Sequence, residues 1–113
     1  MAWKLNPERQ IWLQLVDVLK FRIVSGQYPA GVKLPSVREL AAEAGVNPNT
    51  MQKAFTELER TGLIVTRRTS GRTVTEDTAL IEQVRSELAE LQISQFLTRM
   101  QHLEVGGQGG LRK

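Results

Sequence analysis

The stretch LPSVRELAAEAGVNPNTMQKAFTELERTGLI, Leu34 to Ile64, decides how this chain folds. Ser36-Val37-Arg38-Glu39 is a capping box: a serine oxygen accepts from the backbone at the third helical residue, whose glutamate reaches back. Pro35 keeps Leu34 out of helix. Val37, Leu40, Ala41 and Ala44 then face one way, and Gly45 ends the helix. Asn47 caps a second helix with Pro48 at its first position. Its apolar face is Met51, Ala54, Phe55 and Leu58, and Gly62 stops it. Two helices joined through the short turn Ala44-Gly45-Val46-Asn47 form a helix-turn-helix.

Working outward, a β-branched run follows, Leu63-Ile64-Val65-Thr66-Arg67. A polar loop of four residues, Arg68-Thr69-Ser70-Gly71, leads to a return strand, Arg72-Thr73-Val74-Thr75. A hairpin directly after the second helix makes the motif winged. Upstream, Ile11, Leu15, Leu19 and Ile23 form a stripe on a helix within residues 7–25. Pro7 suits its first position, the start can slip to Gln10, and Gly26 stops it. Tyr28-Pro29-Ala30-Gly31 is a turn, and Val32-Lys33-Leu34 is at most a very short strand. Downstream, residues 77–103 carry two stripes out of phase. Leu80, Val84, Leu88 and Leu91 form one, Ile93, Phe96, Leu97, Met100 and Leu103 the other, so two helices with a break near Ile93-Ser94 are expected.

The expected fold is therefore mainly α with a small β-hairpin: a winged helix-turn-helix over residues 1–76, a helical dimerisation segment over 77–104, and a glycine-rich tail over 105–113. Gly106 to Gly110 lack a following helix N-terminus and do not read as a phosphate loop.

Composition narrows the function. The 113 residues include no cysteine and one histidine, which excludes disulfide scaffolds, thiol nucleophiles and Cys- or His-cluster metal sites. No nucleophile–base pair stands out, so neither catalysis nor a cofactor is expected. His102 reads as a surface residue. Apolar runs reach four residues at most, far below the ~20 of a membrane helix, and no signal peptide shows at Met1-Ala2-Trp3-Lys4. A soluble cytoplasmic protein without a membrane partner is expected. The formal charge of +3 is uneven: residues 33–75 hold seven basic and four acidic side chains, residues 78–113 four of each.

The excess charge is mild: it fits a nucleic-acid partner, and many ordinary cytoplasmic proteins share it. With Met51, Ala54, Phe55 and Leu58 buried, the second helix of the motif leaves Asn49, Thr50, Gln52, Lys53 and Thr56 outward. Asn and Gln pair bidentately with adenine, a threonine methyl meets a thymine methyl, and Lys53 and the helix N-terminus suit phosphates. Such residues also populate ordinary solvated faces. However, the first carboxylate on this helix is Glu57, nearly three turns in. Arg67, Arg68 and Arg72 flank the hairpin tip, where charge suits the DNA backbone or minor groove and also guards a strand edge against aggregation. Arg38 either pairs with Glu39 or Glu43 or reaches a phosphate or guanine. Trp3 and Trp12 read as core or interface residues.

Leu34 to Ala41, Gly45 to Thr50, Leu58 to Ile64 and the pair Arg67-Arg68 resemble the DNA-binding domain of the GntR family of bacterial transcription regulators, over about residues 10–75. The short tail resembles the family's YtrA-like branch, whose members dimerise through it and often sit beside transporter genes. The resemblance implies DNA contacts from Arg38, Asn47, Asn49, Thr50, Gln52, Arg68 and the wing tip around Gly71. The wing departs from the family pattern, with Thr69 where glycine follows the arginine pair and Arg72-Thr73 where threonine and an aromatic are usual.

The expected function is a sequence-specific DNA-binding regulator, a homodimeric repressor on a palindromic operator in double-stranded DNA, with Leu80, Val84, Leu88, Leu91, Phe96, Leu97 and Met100 in the dimer seam. Its small-molecule effector is unknown. Two alternatives stand beside it: the DNA-binding piece of a longer regulator carrying an aminotransferase-like domain, and a winged-helix protein-interaction module.

Overall fold

The computed structural model describes residues 3–91. Three helices come first, α1 (Ile11–Val24), α2 (Val37–Ala44) and α3 (Pro48–Thr61), then strands β1 (Ile64–Arg67) and β2 (Gly71–Val74). Residues 78–91 are helical and are called α4. The break expected near Ile93, the apolar residues Phe96, Leu97 and Met100, His102 and the glycine-rich tail lie outside the described residues.

Local chemistry sets each boundary. α1 begins at Ile11, later than Pro7, because Asn6 claims the preceding residues for a turn. Its side chain accepts from the Glu8 N–H at 2.9 Å and its carbonyl from the Arg9 N–H at 3.1 Å. Gln14 then locks that peptide from both sides, donating to Asn6 O at 2.8 Å and accepting from Asn6 N–H at 2.7 Å. The capping box of α2 is formed in both directions, with Glu39 N–H to Ser36 Oγ at 3.0 Å and Ser36 N–H to Glu39 Oε1 at 2.9 Å. Gly45 closes α2 at φ 77°, a left-handed conformation that any Cβ would penalise, and thereby sets the angle between α2 and α3. At the start of α4, the Asp77 carboxylate accepts from the Leu80 N–H at 3.1 Å.

The core is one cluster. Leu15, Leu19 and Ile23 of α1 meet Leu40 and Ala44 of α2, Met51, Phe55 and Leu58 of α3, and Leu63, Ile64 and Val74 of the wing. β1 and β2 pair antiparallel, Ile64 opposite Val74 and Arg67 opposite Gly71. Strand pairing extends to Gly71, so three residues, Arg68 to Ser70, remain outside the strands, within one residue of the loop read from sequence. Gly71, the residue after that loop, takes φ 75°, a left-handed conformation that a Cβ would penalise. Val32-Lys33-Leu34 adds a one-bridge edge strand, Lys33 opposite Thr73, with Leu34 N–H to Arg72 O and Val74 N–H to Val32 O both 2.9 Å.

α4 does more in this core than its stripe suggested. Ile81 and Val84 are buried in the same cluster, and Leu80 and Leu88 pack against it. Ile81 stands three residues before Val84 and seven before Leu88, on the same helical face, and so belongs with the stripe that the sequence reading drew without it.

Candidate nucleic-acid interface

α3 lies against α1 and α2 through its buried face, which leaves its opposite face and its N-terminus to solvent. Asn47 spends its side-chain oxygen on the Asn49 N–H, 2.7 Å away, so its amide NH2 is the part left for a ligand. Asn49 and Lys53 are exposed, and Thr50 and Gln52 are half-buried. Gln52 donates from Nε2 to Thr56 Oγ1 at 3.3 Å, one turn along, which ranges its amide along the outward face. Lys53, although exposed, lies over a ring: its Nζ sits 4.6 Å from the centroid of the Trp12 ring.

Arg38 is exposed at the start of α2, within ion-pair distance of neither carboxylate that the sequence offered it as a partner. Glu39 is occupied in the capping box. Glu43 accepts from Arg22 Nη2 at 2.6 Å and from the Trp3 indole N–H at 2.9 Å. Those two bonds, the arginine first, hold the Glu43 carboxyl below the usual carboxylate range. Arg22 is further held by the Tyr28 hydroxyl at 2.9 Å and lies 4.7 Å from the Trp3 ring. With both nearby carboxylates engaged, Arg38 forms no ion pair among the described residues.

The wing divides its arginines. Arg67 and Arg68 are exposed and likewise without ion pairs among the described residues. Arg72 is half-buried: its Nε donates to Glu59 Oε2 at 3.0 Å and its guanidinium lies 5.2 Å from the Phe55 ring centroid. Thr66 donates its hydroxyl to the same glutamate oxygen. The Thr66 hydroxyl first, and Arg72 beside it, lower the Glu59 pKa against the opposing effect of burial. Arg72 is thus tied down as a brace between wing and α3, and only its remaining N–H groups are available outward.

Between the start of α2, α3 and the base of the wing lies a concavity of about 430 Å³ that brings together Lys33, Arg38, Gln52, Gly71 and Arg72, three cations against one carboxylate, Glu39. Lys33 was not among the residues singled out from sequence. Its signal is indirect: only pairing of residues 32–34 with β2 brings it alongside the wing, where its Cε would stand 3.7 Å from a Cβ placed on Gly71. Asn49, Lys53, Arg67 and Arg68 do not line this concavity; they are exposed around it.

A short helix pair joined by a left-handed glycine, with a braced hairpin beside an acid-poor helix face, defines a winged helix-turn-helix protein. The family model described as "Bacterial regulatory proteins, gntR family" matches residues 12–74, and the chain belongs to that family. Over 98 residues it is 36% identical to the uncharacterised helix-turn-helix-type transcriptional regulator YhcF of Bacillus subtilis, spanning 87% of this chain and 81% of that one. It is 40% identical over 87 residues to the transcriptional repressor YtrA of the same organism, covering 72% and 67%. A solved GntR family transcriptional regulator from Listeria monocytogenes superposes with a TM-score of 0.79 at 41% identity, covering 88% of this chain and 87% of its own. The protein is accordingly a DNA-binding transcription regulator and not an enzyme. Among the described residues, no helix is long and apolar enough to cross a membrane.

Proposed function

We propose that this protein is a repressor that binds a two-fold symmetric operator as a homodimer in the cytoplasm, each subunit laying α3 in a major groove. The observation that carries the reading is Arg38, an exposed guanidinium whose two candidate acid partners are both engaged elsewhere. An unneutralised arginine at the rim of a basic concavity suits a phosphate or a guanine edge. Asn49, Thr50 and Gln52 then read bases. Asn47, Lys53, Arg67, Arg68 and Gly71 at the wing tip approach the backbone or the minor groove, and Arg72 acts chiefly by holding the wing. The relative named as a repressor favours repression over activation.

A second surface supports the dimer. Val18, Phe21 and Val24 of α1 and Leu88 and Leu91 of α4 line an apolar groove of about 530 Å³. Phe21 is 61% exposed and Leu91 48%, a patch that a lone subunit would leave wet. We read residues 1–76 as the DNA-binding unit and 77–104 as the dimerisation segment. Val84 is already spent on the subunit's own core and Leu80 packs against it, so the seam draws on Leu88 and Leu91, with α1 adding Phe21. Phe96, Leu97 and Met100 are proposed to complete it.

Selection from random duplexes followed by footprinting tests both halves. An enriched inverted repeat protected on both arms, with a dimer by light scattering, is the expected result. Enrichment of a single half-site by a monomer would overturn the dimer. No enrichment over random DNA would overturn the readout.

A further inference from the structure

Lys53 and Trp12 are set up in a way that DNA contact by the α3 face does not itself require. The Lys53 ammonium lies 4.6 Å from the Trp12 ring centroid, across the seam between α3 and α1. The ring is itself oriented: its indole N–H donates to Gln10 Oε1 at 2.9 Å, from the residue just before α1. Trp12 is half-buried and packs on the core, so it offers a fixed face rather than a mobile one. Among the described residues Lys53 forms no ion pair.

The kind of partner matters. A carboxylate would neutralise the ammonium and would have to be displaced before a phosphate could bind. An aromatic face attracts the ammonium through its quadrupole and leaves the full positive charge in place. It also restricts a long side chain whose rotamer freedom is otherwise lost at the moment of contact. We propose that Trp12 is a positioning residue for DNA binding: it holds the Lys53 ammonium over its ring, still charged, so that a backbone phosphate beside α3 meets it already placed. The proposal rests on the reading of α3 as the DNA-facing helix. It adds α1, through Trp12 and Gln10, to the elements that shape affinity.

The test uses the full chain and a random-sequence duplex of about 30 base pairs, roughly three helical turns, because a phosphate contact needs no operator. Affinity is measured over a salt series for the wild type, Lys53→Ala, Trp12→Leu, Trp12→Phe, Gln10→Ala and the combinations of each with Lys53→Ala, with thermal melting to verify folding. Lys53→Ala should lower the salt slope by about one unit. Trp12→Leu should keep the wild-type slope, because the charge remains, and weaken binding about two- to fivefold, the size of an exposed cation–π contact. Trp12→Phe should recover much of that loss. In the Lys53→Ala background, Trp12→Leu should change nothing further. Gln10→Ala, which leaves the core untouched, should weaken binding in the same direction and carries the test if Trp12→Leu melts early. A wild-type affinity for both Trp12→Leu and Gln10→Ala, or losses that persist undiminished without Lys53, would overturn the positioning role while leaving the α3 reading intact. A wild-type slope for Lys53→Ala would instead overturn the phosphate contact at this position, and the proposal with it.

Discussion

Arg72 and Glu59 are joined across the seam between the wing and α3, Nε to Oε2 at 3.0 Å, with the Thr66 hydroxyl on the same oxygen. Glu59 lies on the half of α3 away from its N-terminus, so this bond sets where the hairpin points relative to the exposed helix face. Both side chains are more than two-thirds buried, and the Arg72 guanidinium also lies over Phe55. Glu59→Gln removes the charge and keeps the shape. It should cost about 1 kcal/mol, the scale of a charge-assisted bond discounted for partial exposure, or a drop in Tm of about 4–8 °C for a domain of this size. DNA binding should weaken as well, although no charge facing DNA is lost. Thermal melting and a titration with wild-type operator read the two effects separately. A destabilised variant with unchanged affinity would show that wing angle does not matter for binding.

Acid should loosen the same brace. The folded-state pKa values of Glu59 and Glu43 are both lowered, by the Thr66 hydroxyl and Arg72 in one case and by Arg22 and Trp3 in the other. A group whose folded pKa is depressed contributes stability that is fully present above its unfolded pKa, about 4.3 for glutamate. That stability is lost as pH falls through the folded value. Tm should therefore hold near neutrality and fall below about pH 4. The double variant Glu43→Gln, Glu59→Gln should start lower and show a shallower acid decline. Equally steep declines for both proteins would place the acid sensitivity in other groups.

Arg38→Ala should weaken operator binding and leave the fold intact, because the side chain is exposed and makes no ion pair among the described residues. Loss of a bidentate base contact costs about 1–3 kcal/mol, whereas loss of a phosphate contact lowers the salt slope by roughly one unit. A salt series with operator and with random DNA separates the two. Unchanged affinity for both would remove Arg38 from the interface.

Asn49 and Gln52 should set base preference. Alanine at either should change which operator positions tolerate substitution, more than it changes affinity for random DNA. A parallel loss on both kinds of DNA would mean that these side chains touch only the backbone.

Much of this was legible in the sequence because it is local. The Ser36–Glu39 capping box, the Asn47-Pro48 start of α3 and the Gly45 and Gly62 stops are signals read within a few residues, and each boundary they imply is present. What was not legible depends on tertiary pairing. Arg72 reads from sequence as one more cation at a hairpin tip, and only the folding of the wing onto α3 brings it to Glu59. That Glu43 is engaged by Arg22 and Trp3, both distant in sequence, was not legible either. Lys33 joined the basic concavity through a single bridge to Thr73, which no propensity foretells. The sequence left the start of α1 open between Pro7 and Gln10, and the side-chain hold of Gln14 on Asn6, invisible to periodicity, puts it at the late end.

The final prediction separates the subunit's own core from the proposed seam. Leu88 is half-buried and packs partly on the core of its own subunit, so Leu88→Asp mixes two effects: destabilised α4 packing and a charge in the seam. Phe21 is the cleaner probe. It projects from α1 beside the apolar groove and is 61% exposed in the subunit, so replacing it removes little that holds the monomer together. Phe21→Asp places a carboxylate one turn from Asp17, a like-charge pair that costs an exposed helix only a few tenths of a kcal/mol. In a closed apolar seam, the same unpaired carboxylates would be strongly unfavourable. The variant should keep the wild-type Tm within a few degrees when compared at a protein concentration where both are monomeric. It should also sediment as a monomer where the wild type is a dimer. Affinity for a full palindrome should fall far more than affinity for a half-site, because the gain from binding two linked sites disappears. A Phe21→Asp protein that remains a tight dimer while Leu88→Asp does not would confine the seam to the α4 side of the groove. If both variants remain dimers with wild-type operator affinity, the groove is not the seam at all.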